Sequence, residues 1–339
     1  MVTGQKRIYF LNRYINGGYF TPSGGMLSVF APNLLFHRNS AVICKLYSGH
    51  NHVSSSNPET ISIPEYSGAN QHVKQLIKEL GPLKASLKAA IVHGSIATGE
   101  EIEYSDFDGM IILSKEAVNN KKELAEVAVR LHQLRKIMHQ IDPFQHHGWF
   151  VISEYDLANY PEWFLPTAVL YHSKSLTGPV NLEITTQVTP DVDFKKSFLR
   201  LCDSLKRKLS SSKSDWNLYQ LKSIFSEFMM LPSAYVQARD EKGVFKKYSF
   251  AEMRKDFNDE EFAVMDEVSN IRLNWIYDLT EKQSKYFERI DFLSWKGRQT
   301  IELNKPVFIE MSMNNGLFSR MNNFTALVKH AILNRKGNV

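Results

Sequence analysis

Apolar positions change their spacing several times along the chain. Over residues 1–65, short apolar runs at 25–32 and 41–46 alternate with Gly-, Ser- and Asn-rich stretches, notably 48–58, a pattern that predicts strands and loops. From residue 69 the period becomes helical: Val73, Leu76, Ile77 and Leu80 share a face, and Gly81-Pro82 ends the run. Two continuous apolar runs, 89–93 and 109–113, have the length and composition of buried strands. Residues 118–141 return to helical spacing, with Leu124, Val127, Leu131, Leu134 and Met138 opposite a Lys/Arg/Glu face. Further strands are expected at 148–152, after Asp142-Pro143, and at 167–171, before Gly178-Pro179. Beyond residue 190 the spacing is almost wholly helical. Phe194, Phe198, Leu201, Leu205 and Leu209 line one helix, and Leu218, Leu221, Ile224, Phe225 and Phe228 line the next. Similar patterns cover 249–280 and 316–334. The expected fold class is α+β: an irregular N-terminal extension at 1–65, a small mixed-sheet domain with helices at 66–185, and an all-helical domain at 190–339.

Length and composition add limits. A chain of 339 residues with 43% hydrophobic and 23% charged side chains suits two globular domains. Two cysteines, Cys44 and Cys202, rule out a disulfide framework and fit a reducing compartment. The apolar stretch at 8–11 is broken at once by Asn12 and Arg13, too soon for a signal peptide. No window approaches the roughly 18 apolar residues of a membrane span. A cytoplasmic protein with no membrane partner is expected. The net charge of +5 is uneven: residues 1–190 balance sixteen basic against sixteen acidic side chains, and 191–339 hold the whole excess. Residues 311–339 contain no acidic side chain at all, while Arg320, Lys329, Arg335 and Lys336 are basic. An anionic partner for the C-terminal half follows, unless the lysines simply form a solvated face.

One stretch carries chemistry. The first buried strand runs into His93-Gly94-Ser95, ten residues intervene, and Asp106-Phe107-Asp108 opens the second strand. Aspartates at i and i+2 of a strand point to one face. Two carboxylates side by side repel unless a cation lies between them, and hard oxygen ligands suit Mg²⁺ shared with substrate phosphates. Gly94 would let backbone approach a phosphate, and Ser95 would donate its N–H and hydroxyl to phosphate oxygens.

In these residues the sequence resembles the nucleotidyltransferase superfamily typified by DNA polymerase β and the aminoglycoside nucleotidyltransferases. The match rests on His93-Gly94-Ser95 and Asp106-x-Asp108 at the family's spacing between two strands, and extends loosely over 66–235. The resemblance implies transfer of a nucleoside monophosphate from an NTP, with ATP the default, to a hydroxyl-bearing acceptor. Asp106 and Asp108 would hold Mg²⁺, and Gly94 and Ser95 would grip the terminal phosphates. A small-molecule acceptor is favoured, an RNA end or a protein hydroxyl being alternatives. A non-catalytic relative binding nucleotide, RNA or a protein partner is the rival from another class.

The family's third carboxylate, on a later strand, has no counterpart at 148–152. Either Asp142 or Glu154 reaches in from a strand end, or a histidine of the His146-His147 pair replaces the acid as general base near pH 6–7. Strand alternation would send these two histidines to opposite faces, so only one of them is expected at the site. His93, ending a buried strand, reads as a packed residue. Lys222, set among Leu218, Leu221 and Phe225, is the candidate for a helical-domain lysine reaching the nucleotide, with Lys246-Lys247 a further basic pair.

Overall fold

The computed structural model describes residues 4–17, 32–48, 58–186, 193–210, 216–290 and 292–335. These fall into two units, the first formed by 1–101, 105–188 and 280–298, the second by 102–104, 189–279 and 299–339.

In chain order the first unit begins with α1 (Gly4–Ile15), α2 (Pro32–Tyr47), β1 (Glu59–Ile63) and α3 (Gln71–Leu80). It continues with β2 (Leu87–His93), α4 (Gly94–Thr98), β3 (Asp108–Leu113), α5 (Lys115–Asn119) and α6 (Lys121–Ile141). Then come β4 (Phe150–Ser153), α7 (Thr167–Leu170), β5 (Lys174–Ser175) and β6 (Val180–Ile184). Four strands form a mixed sheet in the order β4-β3-β2-β5, with β3 parallel to β4 and antiparallel to β2. β1 and β6 pair antiparallel as a separate ribbon.

Both faces of the four-stranded sheet are covered, which is why β2 and β3 read as unbroken apolar runs. Ala90, Val92, Ile111, Leu113 and Val151 join one core with Val73, Leu76, Leu124, Val127 and Leu131. Ala89, Ile91, Met110, Ile112 and Ile152 join a second core with Ile61, Ile63, Leu182 and Ile184 of the ribbon. The mixed sheet and the helical C-terminal region agree with the expected α+β class.

Several local expectations are corrected. The extension expected as strands and loops is mainly helical where it is described: Leu11, Tyr14, Ile15, Phe36, Ile43 and Tyr47 of α1 and α2 all enter the first core. The calls at 25–31 and 49–57 lie outside the described residues. The helix expected at 118–141 divides at Asn120, whose side chain accepts from the N–H groups of Lys122 and Glu123 and starts α6 afresh. Residues 167–170 are helical rather than a strand, beginning after Pro166, and the sheet edge is the two-residue β5 instead. β4 starts at Phe150, two residues later than expected.

The second unit contains α8 (Phe194–Ser210), α9 (Leu218–Phe228), α10 (Leu231–Asp240), α11 (Lys246–Arg254) and α12 (Asp259–Leu273). After α13 (Glu281–Phe287) and α14 (Phe292–Thr300) it resumes with α15 (Val307–Asn314) and α16 (Leu317–Asn334). The periodic residues of α8, α9 and α16 are its core: Phe198, Leu205, Leu221, Phe225, Phe324 and Val328 are all buried. Residues 280–298 return to the first unit, crossing the boundary drawn at 190. Phe287 packs edge-on to Phe144 with ring centroids 5.5 Å apart, and Glu288 pairs with Lys136. Among the described residues no helix is long and apolar enough to cross a membrane.

Candidate active site

The two motif halves meet because β2 and β3 are neighbours: His93 lies opposite Asp108 at the end of the antiparallel pair. The chain leaves β2 through Gly94, whose φ of 70° lies in the left-handed region. A Cβ there would stand 2.6 Å from Asp108 Oδ2. Glycine is required twice over, by the backbone conformation and by the close approach of the carboxylate. Ser95 follows in α4 and donates its hydroxyl to Ser105 Oγ at 3.0 Å, tying the two ends of the intervening loop.

β3 begins at Asp108, so Asp106 lies in the loop before it rather than in the strand. Buried Gln145 holds this loop: its Oε1 accepts the Phe107 N–H at 2.9 Å and its Nε2 donates to the Phe107 carbonyl at 3.0 Å. The aspartates nevertheless converge. His147 Nε2 is 3.2 Å from Asp106 Oδ2 and 3.1 Å from Asp108 Oδ1, and His146 Nδ1 is 3.6 Å from Asp106 Oδ2.

Both histidines therefore face the aspartates, against the expectation of one. The reason is that 146–149 precede β4 and are not extended in a sheet, so strand alternation does not apply to them. Burial alone would push His147 down, but hydrogen bonds and attraction from Asp106 and Asp108 outweigh it and hold its pKa well above 6.5. The two carboxylates against it favour the protonated form of His147. His93 is buried and packed as expected; burial lowers its pKa, opposed by Asp108.

Neither suggested carboxylate joins the cluster. β4 runs parallel to β3 with Met110 opposite Phe150 and Leu113 opposite Ser153, so Glu154 follows the end of the sheet remote from Asp108. There it accepts the Lys115 N–H at 3.4 Å. Asp142 is completely buried, and its Oδ1 accepts the Phe144 N–H at 3.0 Å. On the Asp108 face of β4 the first side chain is Phe150, whose ring lies 5.6 Å from His93 and 5.3 Å from His147. On this face the strand expected to carry a third acid presents an apolar ring instead.

The remaining candidate, Lys222, belongs to the second unit. It is buried in α9, donates to the Tyr277 hydroxyl at 2.8 Å, and sits 4.7 Å from the centre of the Tyr104 ring. Arg272 lies over the same ring, also at 4.7 Å. Lys246 opens α11, with Lys247 next to it.

Gln145 escapes sequence reasoning because its work is done on backbone atoms 38 residues away, for which glutamine leaves no spacing signal. Phe150 likewise looks like any strand residue. No protein-family model, curated protein or solved structure matches the chain.

Proposed function

We propose that the chain is a nucleotidyltransferase moving a nucleoside monophosphate from an NTP, with ATP the default donor, to a hydroxyl-bearing small molecule. The observation that carries this reading is the apposition of Gly94 and Asp108: a left-handed Gly-Ser turn lies directly against one of two convergent carboxylates. Asp106 Oδ2 and Asp108 Oδ1 each lie within 3.2 Å of one atom, His147 Nε2, so a single small cation would satisfy both. The two carboxylates taken by themselves suit a divalent ion such as Mg²⁺, and Asp106 and Asp108 would hold it. When bound, the ion supplies charge neutralisation at the phosphates and at the attacking and leaving oxygens.

The chain's own residues prepare the rest. Gly94 keeps side-chain bulk away from the phosphate approach, Ser95 donates to phosphate oxygens, and Ser105 and Gln145 hold the loop that presents the carboxylates. The Phe150 position favours one second reading, a relative that binds nucleotide without transferring it, since the acid implied there is missing.

Both readings are tested with α-labelled ATP and MgCl₂. Transfer predicts pyrophosphate release and label in a small-molecule fraction, reduced at least about 100-fold by Asp108→Asn. Tight Mg²⁺-dependent binding with no release would select the second reading. A folded protein with no Mg²⁺-dependent nucleotide binding by calorimetry removes both.

A further inference from the structure

We infer that Asp106, His146 and His147 form a mixed nitrogen–oxygen metal site, selective for a divalent transition ion over Mg²⁺. The inference rests on the proposed metal-dependent reading of the same site and deepens it: it names the ligands that replace the missing acid and the class of ion they choose.

The first argument is convergence. One ligand atom from each of the three side chains lies within 4.8 Å of the other two. Donors bound about 2.1 Å from one ion are separated by about 3.0 Å at right angles and about 3.4 Å in a tetrahedron. The observed separations to Asp106 Oδ2, 3.2 Å from His147 and 3.6 Å from His146, lie close to that range, and 3.6 Å is long for a hydrogen bond. Both rings reach one carboxylate oxygen from adjacent residues because the stretch before β4 lies outside the sheet.

The second argument is the tautomer of His147. Gln145 Nε2 lies 3.2 Å from His147 Nδ1 but closer, at 3.0 Å, to the carbonyls of Phe107 and His147, which take its two hydrogens. His147 Nδ1 is left to donate to the Gly148 carbonyl at 3.2 Å. A backbone acceptor on Nδ1 is how metal-binding imidazoles are oriented, since it turns the Nε2 lone pair toward the ion. Here that lone pair faces two carboxylates, an arrangement that needs a positive centre on Nε2.

The third argument is ligand character. Imidazole nitrogen suits Zn²⁺ and the later first-row ions and is accepted more readily by Mn²⁺ than by Mg²⁺, which takes oxygen almost exclusively. The site also has access from solvent: the His146 side chain is 52% exposed and Asp106 30%.

The experiment uses the full-length protein, stripped of metal and without nucleotide. Calorimetry with MnCl₂, ZnCl₂ and MgCl₂ should show Mn²⁺ binding at least about tenfold tighter than Mg²⁺, and Zn²⁺ tighter again. Pulsed electron paramagnetic resonance of the Mn²⁺ form should show coupling to ¹⁴N. That coupling should weaken in His146→Gln and vanish in the double variant with His147→Gln. Absence of nitrogen coupling, its survival in a folded double variant, or equal affinity for Mn²⁺ and Mg²⁺ would each overturn the inference. Nucleotide transfer is scored separately under each ion. Nitrogen coupling without transfer upholds the ligand set and removes transfer; transfer in Mg²⁺ without coupling does the reverse.

Discussion

At the scale of single residues, Gly94 is the tightest constraint on the site. Any side chain there meets both a left-handed backbone and the Asp108 carboxylate 2.6 Å away. Gly94→Ala should destabilise the protein by about 1–2 kcal/mol, from the backbone preference alone. It should also weaken Mg²⁺-nucleotide binding at least about tenfold, because Asp108 must move. Thermal unfolding and calorimetry check the two effects separately, and an unchanged nucleotide affinity would show that Asp108 can shift without loss. Asp106→Asn and Asp108→Asn act on charge instead of space. Each should lower Mg²⁺-nucleotide affinity by about tenfold or more while the fold persists, since both side chains are partly exposed. These residues were legible in the sequence because a glycine in a strand-to-turn junction and two alternating acids leave local signals. Gln145 and the orientation of His146 and His147 were not, because they depend on which backbone lies opposite.

At the scale of elements, the notable feature is how the open edge of β4 is closed. β4 is an end strand of the sheet. Among the described residues no further strand pairs with it; Asn12 of α1 and Asn16, just past its end, do the work, four residues apart. Asn12 accepts the Val151 N–H at 2.7 Å and donates to the Val151 carbonyl at 2.6 Å. Asn16 does the same for Trp149, at 2.8 Å in both directions. Gly148 makes room, since a Cβ there would fall 1.8 Å from Asn16 Oδ1. A covered edge neither loses its backbone groups to water nor invites another strand. Asn12→Ala should cost about 1–3 kcal/mol by stranding a donor and an acceptor. Urea unfolding measures it, and a change under about 0.5 kcal/mol would mean water replaces the amide. Nearby, Arg7 of α1 pairs with buried Asp156 at 2.5 Å, and Tyr47 of α2 donates to the same carboxylate at 3.2 Å. The N-terminal helices are thus bonded to both ends of β4, which positions the stretch carrying His146 and His147.

At the scale of the whole molecule, acid stability should reflect a buried histidine far in sequence from the motif. Burial, reinforced by Arg298 and Arg135, lowers His139 from 6.5 to about 2. Its folded-state pKa lies below the unfolded value, so the unfolded chain binds the proton first as pH falls. The stability is present above about pH 6.5 and drains away toward pH 2, by about 1.4 kcal/mol per pH unit once the slope is established. His147 acts with the opposite sign: its raised pKa contributes stability that is complete below 6.5 and disappears as pH rises through the folded value. Unfolding free energy measured from pH 7 to pH 5 should therefore fall less steeply in His139→Leu than in the parent, by about one proton's worth. Parallel slopes would show that His139 titrates normally.

The α+β class, the buried strands β2 and β3, the helices α3, α8, α9 and α16, and the pairing of Gly94-Ser95 with Asp106 and Asp108 were determined by the sequence alone. Each rests on periodicity or on residues close along the chain, and burial on two sheet faces or one helix face writes itself directly into spacing. Only the tertiary structure decided the helical state of the N-terminal extension, whose apolar positions face a core built by later residues. It also decided the return of 280–298 to the first unit and the irregular approach to β4. The convergence of both histidines on Asp106 belongs there too: it is set by a glutamine clamp acting across 38 residues and two asparagines acting across more than a hundred, and contacts of that kind leave no period to read.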